Sequence, residues 1–149
     1  VAELDPTGDI KRILVPADGS VASLEAVALA CSIAKRNKGK VFVVHVIEVK
    51  RALPLDADLT PEANVGEEVL HEAEKVADEH RFEIEGQLLQ AREASHAVVA
   101  EAIEQNADAI IMGVEYKRPM GEFQLGRLPQ YVLKNAPCTV WICRRRPQE

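Results

Sequence analysis

Apolar residues fall along this chain in short runs, separated by stretches in which they recur every three or four positions. Residues 12–16, Arg-Ile-Leu-Val-Pro, form the first run. It is apolar on both faces, as a central parallel strand requires, and it ends in Ala17-Asp18-Gly19-Ser20. Helical spacing follows over residues 23–37, with Leu24, Val27, Ala28, Cys31 and Ala34 as the inward stripe. Asn37-Lys38-Gly39 stops it, the glycine supplying a positive φ. Residues 41–47 are the strongest strand, and residues 50–59 a loop with Pro54 and two aspartates. Thr60-Pro61-Glu62 opens a second helix with a hydroxyl cap, a first-turn proline and an acid near the dipole's positive end. That helix runs to about residue 79 and buries Val69, Ala73 and Val76.

Residues 82–90 alternate in part and read as a strand near the sheet edge, and residues 95–105 as a helix with Val98, Val99, Ala102 and Ile103 inward. Ala109-Ile110-Ile111-Met112 is a buried strand that stops at Gly113. A polar loop, 114–125, leads to Gly126 and a helix that ends at Asn135-Ala136-Pro137, where proline forbids continuation. Residues 139–143 are the last strand. The order β-α-β-α-β-α-β-α-β predicts an α/β fold: a five-stranded parallel sheet, doubly wound by right-handed crossovers, with helices on both faces.

Composition narrows the function. The 149 residues suffice for one domain with a proper core. A net charge of −6 argues against a general nucleic-acid or membrane-surface role. No apolar run approaches the roughly 18 residues of a membrane span, and no signal peptide is present. Cys31, Cys138 and Cys143 lie in apolar segments without C-x-x-C spacing, which favours reduced, buried thiols and an intracellular setting. Residues 1–9 read as a linker or leader, and residues 145–149 as a tail behind a basic end.

The turn after the first strand holds one glycine and no lysine, so it is neither a phosphate P-loop nor a dinucleotide fingerprint. A phospho-acceptor receiver needs a carboxylate at the end of the third strand, where Gln90 and Ala91 stand. No catalytic constellation emerges. His45 sits inside a strand as a core or interface residue; His71 and His80 belong to a glutamate-rich, solvated face; His96 is isolated, and no H-E-x-x-H spacing suggests zinc. Ser20 and Ser23 read as helix caps. In an open parallel sheet ligands sit beyond the carboxyl ends of the strands, against helix N-termini. The stretch 107–127 is therefore the expected ligand site, the ligand carrying phosphate. Lys117, Arg118 and Arg127 either hold an anion there or are a solvated loop, and Gly113 and Gly126 alternatively only permit turns.

Four pieces in order carry a resemblance: Ile13-Leu14-Val15-Pro16-Ala17-Asp18-Gly19-Ser20; Val44-His45-Val46; Ala107-Asp108-Ala109-Ile110-Ile111-Met112-Gly113; and Leu125-Gly126 leading to the segment 132–140. Together they resemble a universal stress protein domain over about residues 9–144. The resemblance implies a Rossmann-like, adenine nucleotide alpha hydrolase-like sheet and a non-enzymatic regulatory or stress-response role in the cytoplasm. It also implies a homodimer paired through the last strand, at Thr139, Val140, Trp141 and Ile142, and ATP or another adenine nucleotide at the strand ends. Nucleotide-binding members are similar in a pattern of glycine, two residues, glycine, nine residues, glycine, then serine or threonine. Here the positions are Gly113, Tyr116, Gly126 and Arg127, so two of the four depart. Tyr116 puts a ring where backbone should approach phosphate; Arg127 replaces a hydroxyl with a charge able to pair with phosphate. By the same resemblance Pro16 and Met112 flank the nucleotide, Asp18 faces the ribose or a Mg²⁺, and the backbone near Val46 meets the adenine edge. Asp18 equally fits a plain turn, since Asp-Gly is a common turn pair. A second reading makes the domain, residues 10–144, the C-terminal cytoplasmic regulatory part of a membrane transporter for amino acids. A slow ATPase has no identifiable general base.

Overall fold

The strands form where the apolar runs predict them, because each inner strand is covered on both faces. The computed structural model describes residues 4–116 and 121–146. Its elements are β1 (Arg12–Pro16), α1 (Val21–Asn37), β2 (Lys40–Glu48), α2 (Thr60–Glu79), β3 (Glu85–Ala91), α3 (Ala94–Glu104), β4 (Ala109–Val114), α4 (Arg127–Asn135) and β5 (Thr139–Arg144). All neighbouring strands are parallel, in the order β3-β2-β1-β4-β5. The predicted architecture is therefore present, with β1 at the centre.

Alternation along each strand sorts the core into two layers. Ile13, Val15, Val41, Val43 and Ile111 pack against α1 and α2. Leu14, Phe42, Val44, Ile110 and Met112 pack against α3 and α4. Each such fully buried side chain contributes about 1.5–3 kcal/mol relative to exposure, which is why both faces of β1 and β4 must be apolar. The two edges differ. β3 carries Glu85, Gln87 and Gln90, whereas β5 carries Val140, Trp141 and Ile142, all half-buried.

Several details depart from the sequence expectation. α1 begins at Val21, and its inner face is the small-residue row Ala22, Ala26, Ala30 together with Val27, Cys31 and Ala34; Leu24 and Ala28 are only half-buried. The left-handed residue after α1 is Lys38, with φ 56°, not Gly39. Gly39 is instead required by proximity, since a Cβ there would stand 1.9 Å from the Lys11 carbonyl oxygen. Thr60 is the first residue of α2 rather than its cap; its hydroxyl turns to Asp58, and the cap position, Leu59, offers no side-chain acceptor. β3 starts at Glu85, after Phe82 and Ile84 have packed on the core from the preceding turn. Ile103 points outward at 60 % exposure, leaving Val98, Val99 and Ala102 as the inner face of α3. β4 continues through Gly113 to Val114, and β5 to Arg144.

The order in which the chain adds strands to the sheet reverses between β1 and β4, and there the strands part. β1 pairs with β4 only at Ile13 and Leu14, while it pairs with β2 along its whole length. Pro16 has no N–H to offer β4, and the Ala17 N–H continues toward β2 by bonding the Val44 carbonyl at 2.8 Å. The result is a crevice at the carboxyl end of the sheet, where this topology places ligands.

Candidate functional site

The crevice is a cavity of about 370 Å³, within the roughly 300–1,000 Å³ typical of small-molecule sites. Three chain segments build it. The first is the turn from β1 into α1. Gly19 adopts φ +87°, a conformation few other residues tolerate. Its neighbour Asp18 accepts the Ser20 N–H at 2.9 Å, closing an Asx turn. Ser20 then caps α1 by accepting the Ser23 N–H at 3.1 Å, and the Ser23 hydroxyl donates to the Ser20 carbonyl at 2.9 Å. Ser20 is thus the cap as expected, whereas Ser23 lies inside the first turn of α1; both also line the cavity. Partial burial raises the Asp18 pKa, but hydrogen bonds from Ser20 and Ser23 outweigh it and leave the carboxyl below its ordinary value.

The second segment is the end of β2. His45 holds its Nδ1 2.8 Å from the Ala17 carbonyl oxygen. A carbonyl only accepts, so Nδ1 carries a proton and donates to it. The ring fits because α2 presents Gly66, where a Cβ would lie 2.9 Å from His45 Cδ2. Val46 follows on the opposite, α3 side, near Ala94 and Val98. The N-terminus of α3 is already met by a carboxylate: the Ala94 N–H donates to Glu48 at 3.0 Å.

The third segment runs from β4 into α4. Met112 and Gly113 form the cavity wall, and Glu115 reaches across to the start of α1, where its Oε1 accepts the Ala22 N–H at 3.2 Å. Arg145 lies 4.0 Å from the other Glu115 oxygen and pairs with Glu25 at 3.0 Å. Gly126 is the N-cap of α4 and provides no side-chain cap bond. Arg127 and Leu128 supply the first N–H groups of that helix, while Pro129 has none to give. α4 therefore differs from α1 and α3, whose first turns already hold a carboxylate.

Pro16, Asp18, Val46, Met112, Gly113, Gly126 and Arg127 all line this one cavity. Tyr116 does not. Its ring stacks on Phe123 at 5.6 Å, and the Arg144 guanidinium lies over both rings at 4.7 and 5.3 Å. The cation–π contact holds the ring to β5, so Tyr116 does not stand at the phosphate approach. Lys117 and Arg118 lie outside the described residues. Sequence reasoning missed His45 and Glu115 as lining residues; for Glu115 the available signal was a charged side chain three positions beyond the buried run of β4. Among the described residues no group of three or more histidines, cysteines or carboxylates is placed to hold a metal ion, and no helix is long and apolar enough to cross a membrane.

Residues 9–144 match the Universal stress protein family. A universal stress protein of Methanocaldococcus jannaschii is 32% identical over 145 residues, covering 93% of this chain and 85% of that protein. Among solved structures, a universal stress protein from Archaeoglobus fulgidus superposes with a TM-score of 0.76 at 22% identity, covering 89% of this chain and 97% of the other. One from the same organism in complex with dAMP gives 0.72 at 20% identity, covering 91% and 98%. The chain belongs to the universal stress protein family, whose domains are regulatory modules rather than catalysts.

Proposed function

We propose that this regulatory domain binds an adenine nucleotide in the crevice between β1 and β4 and that it works as a dimer paired along β5. The observation that carries the nucleotide reading is that one cavity combines apolar side chains with a helix N-terminus and an arginine. Pro16, Val46, Val98 and Met112 offer flat apolar contact for a base, beside backbone groups at the end of β2. The same lining includes the α4 N-terminus and Arg127, a helix dipole and a cationic side chain that favour phosphate. Asp18 lines the same cavity and is the carboxylate that would meet a ribose hydroxyl. The dAMP complex of the Archaeoglobus relative supports the same ligand class.

The family's glycine pattern is degenerate here in a way that weakens triphosphate binding. Arg127 stands in place of the family's hydroxyl residue, and Pro129 removes an N–H from the first turn of α4. Titration calorimetry with adenosine, AMP and ATP tests the reading. Binding of AMP with an affinity lost in Arg127→Gln supports it; no heat with any of the three overturns it. For assembly, the support is β5 itself: an apolar strand at an open edge is an aggregation hazard unless another strand pairs with it.

A further inference from the structure

We infer that Glu115 limits the number of phosphates this cavity accepts, so that its ligand is an adenine nucleoside monophosphate and not a triphosphate. The inference rests on the nucleotide reading above and names the ligand within that class. The start of α1 is a place where an anion gains from free N–H groups and the helix dipole. Glu115 already fills it, through the 3.2 Å bond to the Ala22 N–H. Its side chain is only 33 % exposed, and Arg145 lies 4.0 Å from its other oxygen.

The charges of the described lining then bias what enters. Its described lining holds two carboxylates, Asp18 and Glu115, against one guanidinium, Arg127; His45 is the remaining titratable group, and it spends its Nδ1 proton on a backbone carbonyl. One phosphate is matched by Arg127 and the α4 dipole. Each further phosphate adds negative charge to a space where Glu115 is engaged by the Ala22 N–H and can turn away only by giving up that bond. Like charges at close range in a partly desolvated cleft repel strongly.

The experiment is calorimetric titration of the wild type and Glu115→Gln with adenosine, AMP and ATP, each with and without Mg²⁺. Glutamine keeps an oxygen for the Ala22 N–H, and an unchanged melting temperature verifies that α1 stays capped. The wild type is expected to bind AMP at least tenfold more tightly than ATP. Glu115→Gln is expected to raise the ratio of ATP affinity to adenosine affinity by about tenfold, which is about 1.4 kcal/mol. Wild-type protein that binds Mg²⁺-ATP as tightly as AMP overturns the inference, because the carboxylates would then be serving the metal. So does a variant whose ratio is unchanged or lower. If adenosine and AMP also fail to bind, the nucleotide reading itself falls and takes this inference with it; the adenosine titration tells the two failures apart.

Discussion

A Cβ on Gly113 would lie 1.9 Å from the carbonyl oxygen of Ala22 and 2.8 Å from the backbone nitrogen of Ser23. The first glycine of the family pattern therefore holds the first turn of α1 against β4, whatever it does for a ligand. Both neighbours are backbone in regular elements, so neither can move alone. Gly113→Ala is expected to destabilise the empty protein by about 3 kcal/mol, the upper end for overpacking. Denaturant unfolding without ligand measures it. A loss below about 0.5 kcal/mol would show that α1 slides freely on the sheet.

Asp18 shapes the turn through its bond to the Ser20 N–H. Asp18→Ala is expected to reduce stability by about 0.5–2 kcal/mol at pH 7, as lost caps do, and Asp18→Asn, which keeps an acceptor, by less. The folded pKa of Asp18 is depressed, so its stabilisation is complete above the unfolded value of about 3.9 and is lost as pH falls through the folded value. The gap between wild type and alanine variant should hold constant from pH 7 to about pH 5 and close below about pH 4. Urea midpoints across that range test it; a gap that widens toward acid contradicts the assignment.

Cys31 is fully buried, and burial pushes its thiol up to about 11. At pH 8 only about one molecule in a thousand then carries the reactive thiolate. Iodoacetamide should label Cys31 only after denaturation, a result that peptide mass mapping reads directly. The sign for stability is opposite to that of Asp18. A raised folded pKa means that Cys31 contributes fully below the unfolded value and loses that contribution as pH rises toward 11. Cys31→Ala should therefore lose less stability on alkalinisation than the wild type. Rapid labelling of native Cys31 at pH 8 would remove the basis for both outcomes.

Trp141 lies on β5 with its ring half-buried against the α1 side of the core. With β5 paired to a second copy, sedimentation at micromolar concentration should give twice the chain mass, and Trp141→Lys should give one. Wild-type protein that sediments as a monomer rules out the proposed assembly.

The fold was legible because both faces of an inner parallel strand must be apolar, which separates the inner strands from the helices by period alone, while the edge strand β3 alternates only in part. Element edges were less legible. Ile103 was placed inward because one helical residue advances the face by only about 100°, and contact with α4 rather than periodicity decides where the buried stripe ends. Lys38 took the left-handed conformation because Gly39 was needed for its lack of a side chain against Lys11. At the candidate site, Pro16, Asp18, Val46, Met112, Gly113, Gly126 and Arg127 could be placed from topology and family pattern, since all follow strand ends or open a helix. Glu115 could not, because its partner Ala22 is 93 residues away in sequence. Tyr116 was misplaced for a similar reason: Phe123 and Arg144, which hold its ring, meet it only in three dimensions.

The two-residue junction between β1 and β4 also divides the sheet mechanically. On one side β1, β2 and β3 are bonded along their lengths; on the other β4 and β5 are paired at six positions. Fluctuations that open the molecule should begin at this seam, so amides around Ala109 and Ile110 should exchange with deuterium sooner than those of Val41 to Val44, which are equally buried. A molecule lodged between Val46 on one half and Arg127 on the other would act as a staple across the seam and slow that exchange. The domain could then report occupancy as stiffness, without any change of shape.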